Sequence, residues 1–402
     1  MKAGKKAILA VTLLVCMIFM SSIFAALGSL MDPVTEKFGI TGSAQGFPGT
    51  VSALGGICVF IVSLFLIGKI RKTALLALGI GLCVIPLFLI DLAESYPVYI
   101  LLWTVIGFGL GFMDTLLSSC MADLYTGKTG IRMMCILHTF YGVTSMLAPL
   151  LFSAMLTGGT PFGKVYQLVG CFGAAVLTVL VIVSGKKQDS TVPEEKPLSL
   201  KAMTGMLTAG PLPLFAVGMA VHGFFLAGLN NWANRLTEEM NTGVLPEALL
   251  CFQGGLGQFS VFLGVMLSRL LFSFTGIPVR GYLKWGGVAA AISLAVGLFS
   301  GSSVILCVFM VLSGLCFGAL IPCMLDTACA GVRGNTMLAT TVMMLTLYLG
   351  EGISPSVLGW FEGSGPGLVW GVALCAGFML LTAFCNTLAL KKIKTDKNEE
   401  TD

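Results

Sequence analysis

The chain is built almost entirely of apolar runs as long as a bilayer is thick, and that recurrence leaves few choices of fold. Crossing the ~30 Å hydrocarbon layer takes roughly 20 helical residues. No water is present there to bond backbone N–H and C=O groups, so only helices or closed barrels are stable. The runs are of helical length, and twelve can be placed, near 7–28, 44–68, 73–92, 97–123, 133–157, 164–184, 209–236, 246–272, 282–300, 303–329, 335–360 and 367–390. Only 10% of the 402 residues are charged, against about 25% in soluble domains. The expected fold class is an all-α polytopic membrane protein with twelve transmembrane helices.

The basic residues orient these spans. With a cytoplasmic N-terminus, all of the 23 Lys and Arg residues except Lys37, Lys164 and Arg235 fall in cytoplasmic segments or at inner span edges. The positive-inside rule asks for this distribution, and it places both termini in the cytoplasm of a plasma or inner membrane. The Lys-rich start could pass for a signal peptide. Its removal would leave eleven spans and put the C-terminal lysines outside, so it is kept as span one. The basic clusters orient helices; no nucleic-acid patch is expected. The thirteen Cys residues fall inside spans with no C-x-x-C spacing, and read as buried free thiols rather than disulfides or a metal site. No cofactor is expected. There is no P-loop to drive transport with ATP, and no enzyme constellation.

Several features recur at matching places in the two halves. Span four contains GFGLGFMDT (107–115) and span ten GLCFGALIPCMLDT (314–327). Span five ends in APLLF (148–152) and span eleven in SPSVLGW (354–360), while the tight basic turn after span two (IGKIRK) has a counterpart in LSRLL after span eight. Between the halves lies GKKQDSTVPEEKPLSLKAMTG (185–205), the one long polar stretch inside the chain. The expected organisation is a six-helix bundle over 1–184, a cytoplasmic linker over 185–208, a second six-helix bundle over 209–390 and a tail over 391–402. Repeated helical bundles of this kind hold their solute near mid-membrane where the repeats meet.

This pattern resembles the major facilitator superfamily, and within it the fucose/glucose–galactose:proton symporter family. GFGLGFMDT is similar to that family's glycine-rich fourth span, with an acid followed by Thr. CILHTFYGVTSMLAPLL is similar to its fifth, NNWANRLTEEM (230–240) to the end of its seventh, and GLCFGALIPCML to its tenth. The chain departs from the pattern twice. IGKIRK lacks the acid usual in the turn after span two, and Leu229 stands where the sugar symporters carry an acid before the Asn-rich end of span seven.

Asp114 is the leading candidate for chemistry. A charge at bilayer depth costs at least roughly 2.5–3.5 kcal/mol on insertion scales, so it should face protein or water. A carboxyl whose surroundings alternate between dry and wet can take up and release a proton. Two further proton-coupling candidates are Glu351, which shares a face with Thr341, Tyr348 and Pro355, and His138, which shares one with Tyr141, Gly142, Ser145 and Pro149. Gly350 and Gly352 suggest a locally irregular helix around Glu351. His222, among apolar neighbours, reads as packing, and Asp32 as a solvated acid at the outer mouth.

Asn231 and Asn234 share a face of span seven, and amides bond hydroxyls in both senses. Trp232 offers an apolar plane to a sugar ring. With Gln253, Gln258, Tyr141 and Tyr348 these residues form the expected substrate lining. Asp123 with Arg71, and Asp326 with Arg269, are the gating pairs that the superfamily resemblance implies.

The function expected from all of this is proton-coupled uptake of a small polar solute such as a monosaccharide, by alternating access, in a monomer embedded in lipid. Sodium remains a possible coupling ion. Two other readings stay open: efflux of lipophilic or cationic compounds by proton antiport, and a non-transporting receptor on a transporter fold.

Overall fold

The computed structural model describes residues 3–66, 70–125, 127–184, 211–240, 247–275, 277–331, 336–364 and 367–399. It is all-α, and twelve stretches of helix are long and apolar enough to cross a membrane, in register with the twelve runs read from sequence. The chain divides into two compact units, one of Met1–Ile40 with Phe47–Pro197 and one of Thr41–Gly46 with Leu198–Asp402.

The first unit contains α1 (Ala3–Ser29), the short α2 (Met31–Phe38), α3 (Phe47–Leu66), α4 (Lys72–Leu89), α5 (Tyr96–Leu124), α6 (Gly127–Thr157) and α7 (Phe162–Ser184). The chain stops at Ser29 and restarts, and Pro33 sits in the first turn of α2, where its missing N–H has no helical partner to lose. Gly39 closes α2 in the left-handed conformation, at φ 60°, which glycine adopts without strain.

Helix α5 packs between α3 and α4, and α1 packs on α6 and α7. Lipid is as apolar as Leu, so close backbone approach rather than water exclusion holds such helices together. The glycines of α5 permit it. A Cβ on Gly111 would meet Gly56 Cα at 2.8 Å, and one on Gly109 would strike Cys83 and Gly79 of α4. Trp103, Tyr99, Tyr166 and Phe19 fill the interior.

The second unit contains α8 (Leu212–Glu239), α9 (Leu256–Phe274), α10 (Val279–Leu298), α11 (Ser303–Phe317), α12 (Leu320–Gly331), α13 (Thr336–Glu362) and α14 (Gly367–Glu399). Its pairings repeat those of the first: α9 on α11 as α3 on α5, α8 on α13 as α1 on α6, and α10 on α11 and α14 as α4 on α5 and α7. Span eight enters through a 3-10 stretch, Glu247–Gly255, before α9 begins. Span ten is split into α11 and α12. Helix α13 runs without a break past Gly350 and Gly352, so the expected irregularity near Glu351 is not there. Gly350 instead lets α13 close onto Ala220 of α8, where any Cβ would collide with backbone.

The 3-10 turn Gly42–Gly46 belongs with this second unit although the chain on either side of it belongs to the first. Gly42 lies against Gly359 and Gly363, and Gly46 against the Pro355 backbone. The expected linker, 185–208, lies outside the described residues, and the tail is described only to residue 399. The expectation of buried thiols also needs correction at Cys58 and Cys171, which are exposed on outward faces of α3 and α7, where in a membrane span lipid is the apolar neighbour.

Candidate functional site

In the first unit the candidate residues lie on α5 and α6. Asp114 follows Gly111 by three residues and Gly107 by seven, so it continues the face that packs on α3, and it is half-buried. The next residue, Thr115, donates its hydroxyl to Gly111 O at 2.7 Å. His138 and Tyr141 are also half-buried. The Tyr141 carbonyl accepts the Ser21 hydroxyl at 2.9 Å, and Ser21 lies 2.8 Å from the Ser145 hydroxyl. The Tyr141 ring meets Phe24 of α1 edge-on, with centroids 6.3 Å apart. Of the face read from span five, Tyr141 and Ser145 are turned to α1. Arg71, at the start of α4, is exposed; the Asp123 side chain lies outside the described residues.

In the second unit the amides are brought together, but with one another. Asn234 Nδ2 donates to Gln258 Oε1 at 2.9 Å, and Asn234 Oδ1 accepts the Gln258 backbone N–H at 2.9 Å. That N–H is one of the first-turn donors of α9, which have no intrahelical acceptor, so a side chain of α8 caps α9 from a distance. Gln258 Nε2 also donates to Asn230 O at 2.5 Å. Asn231 Nδ2 donates to Ala227 O of its own helix at 2.8 Å. All four residues are buried.

Trp232, expected to offer an open plane, is fully buried and donates Nε1–H to Pro355 O at 3.2 Å, joining α8 to α13. Gln253 lies half-buried on the 3-10 stretch, Tyr348 is buried and Glu351 is half-buried, both on α13. His222 is buried with no hydrogen-bond partner on Nδ1, its ring edge-on to Phe317. This agrees with its reading as a packing residue.

The sequence did not disclose a charged cluster at the far end of α8. Arg235 pairs with Glu362 at 2.7 Å, and Gln45 donates to the other Glu362 oxygen at 2.6 Å. Arg235 had stood out only as an exception to the inner clustering of positive charge. Glu362 lies 127 positions from Arg235 and 317 from Gln45, so no local motif could announce the cluster. Of the expected gating pairs, Asp326 is exposed on α12, while Arg269 Nε donates to Gly318 O at 3.2 Å.

A family model described as Major Facilitator Superfamily matches residues 11–283. The chain belongs to the major facilitator superfamily. No curated protein matches the sequence. Among solved structures it is similar to a bacterial homologue of the human lysosomal transporter Spinster in an inward-facing, unoccupied conformation, at 16% identity and TM-score 0.76 over 98% of this chain and 99% of the other. It is similar to the nucleoside transporter NupG at 12% identity and TM-score 0.73, over 97% and 100%. It is also similar to the fucose:proton symporter of E. coli at 13% identity and TM-score 0.65, over 94% and 98%. At such identities the likeness shows a shared fold. The superfamily and the twelve spans make this a multi-pass membrane transporter.

Proposed function

We propose that this superfamily member takes up a small polar solute, with a monosaccharide as first candidate, together with a proton carried by Asp114. Both termini are placed on the cytoplasmic side of a plasma or inner membrane, and the chain acts as a monomer through alternating access of its two units. One observation carries the reading: a carboxylate set well inside a transmembrane helix, half-buried, on the face that carries Gly107 and Gly111. Such an acid is costly to insert, and its protonation responds to whether water reaches it. Glu351 and His138 are the secondary proton candidates. Tyr348, Tyr141 and Gln253 remain the first solute-facing candidates. Gating at Asp123 and Arg71 in the first unit belongs to the same reading; in the second, Asp326 is exposed and Arg269 is engaged with Gly318 O.

A second reading, export of lipophilic or cationic compounds by proton antiport, is favoured by a specific observation. Asn234 and Gln258 saturate each other and Trp232 is enclosed, which withdraws much of the polar lining a sugar would need. The two readings separate in proteoliposomes with a pH probe outside. External alkalinisation on adding one sugar from a hexose panel supports uptake. Silence to every sugar, with acid-gradient-driven movement of a lipophilic cation, would overturn it in favour of export.

A further inference from the structure

Pro322 lies four residues beyond Gly318 in span ten. A proline has no N–H, so the carbonyl four residues earlier loses its helical donor, and the ring crowds that carbonyl. Here the carbonyl is that of Gly318, and the helix gives way at this point: α11 ends at Phe317 and α12 begins at Leu320. In a soluble protein water would take up the freed oxygen. Inside a membrane span another protein group has to meet it.

Two side chains bracket the break. Arg269 of α9 donates Nε–H to Gly318 O at 3.2 Å. On the other side, the Ala319 N–H donates to the Tyr282 hydroxyl of α10 at 3.1 Å. That hydroxyl lies 3.1 Å from the hydroxyl of Ser268, the residue before Arg269. The break is thus tied to α9 and α10, two of the helices that α11 packs on. The first unit shows the contrast: at the matching carbonyl, Gly111 O, the chain has Thr115 in place of proline, and the helix continues.

We propose that Arg269 is a positioning residue: its guanidinium replaces the amide hydrogen that Pro322 lacks and, with Tyr282, fixes the direction in which Leu320–Gly331 leaves α11. On this account the partner that gives Arg269 its importance is a proline rather than the carboxylate of Asp326. The two alternatives have opposite genetic consequences, because only the first lets a change at position 322 compensate for loss of the arginine.

The test needs no transported solute. The full-length protein is purified as wild type, Arg269→Gln, Pro322→Ala, the double variant and Asp326→Asn. Thermal midpoint and backbone amide exchange over residues 319–324 are measured for each. Arg269→Gln should lower the midpoint and speed exchange across this segment. Pro322→Ala should restore the intrahelical bond to Gly318 O, so the double variant should recover most of the loss, while Asp326→Asn leaves exchange there unchanged. Additive losses in the double variant, or an Asp326→Asn that reproduces Arg269→Gln, would overturn the proposal. If Arg269→Gln does not survive purification, Tyr282→Phe tests the other side of the break: exchange at Ala319 must rise, and unchanged exchange counts against the assignment.

Discussion

Spans four and ten rest on the same pair of glycines, yet one is a continuous helix of 29 residues and the other is split into helices of 15 and 12. In the first unit Gly107 and Gly111 of α5 press on Ser52 and Gly56 of α3; in the second, Gly314 and Gly318 press on Val261 and Val265 of α9. Set in that register, Asp114 corresponds to Ile321 and Thr115 to Pro322. One unit carries an acid and an unbroken helix, while its counterpart carries an apolar residue and a bend. The repeated glycines keep the helix pairing alike, and the two positions after them make the units chemically different. The asymmetry is the reason to place proton chemistry in the first unit and a structural bend in the second.

The most damaging way to break this contrast is to give the first unit the second's proline. Thr115→Pro would orphan Gly111 O, and the residue of α3 in Arg269's register is Phe60, which has no donor to offer. The expected loss is about 3 kcal/mol or more, read as disappearance of a monodisperse peak on size exclusion. Survival with an unchanged midpoint would show that α5 does not need that bond.

The shared half of the comparison is probed by filling the glycines. A Cβ at Gly111 would lie 2.8 Å from Gly56 Cα, and one at Gly318 2.6 Å from Val265 Cα. Gly111→Val and Gly318→Val should each cost roughly 1–3 kcal/mol by overpacking, with similar falls in thermal midpoint. A large effect in one unit alone would mean that the two seams are not equivalent.

A comparable effect per substitution, but one that shrinks when the substitutions are combined, is expected where the second unit has a polar tie between α8 and α9. Asn234→Leu or Gln258→Leu leaves buried partners unmet, at about 1–3 kcal/mol each. The double variant should lose less than the sum, since the remaining groups no longer face an abandoned amide. Strict additivity in thermal midpoints would show that the amides do not act as a pair.

The fold could be read from sequence because membrane physics restricts it so strongly: apolar length gave the spans, and the placement of Lys and Arg gave a consistent count. Asp114 stood out in the sequence because an acid in the middle of a glycine-rich apolar span is costly to insert. The roles of the amides were not, because which face of α8 meets α9 depends on packing. Asn234 could have faced a solute or a neighbour with the same spacing. The register of the repeat was not legible for a related reason. Asp-Thr ends both GFGLGFMDT and GLCFGALIPCMLDT, whereas the glycine contacts place Ile321 and Pro322 opposite Asp114 and Thr115. The Arg235–Glu362–Gln45 cluster joins residues too far apart in the chain for any local pattern to reveal.

Asp114 carries the central claim, and the most direct measurement compares Asp114→Asn with wild type in proteoliposomes, using whichever labelled sugar gives a response. Two assays are run on the same preparation: accumulation driven by an inward proton gradient, and exchange of internal for external solute with no gradient. The account predicts that the variant loses gradient-driven accumulation and keeps exchange, because the solute still crosses while the proton no longer has a carrier. Gradient-driven accumulation that survives in Asp114→Asn would contradict it and move the coupling site elsewhere.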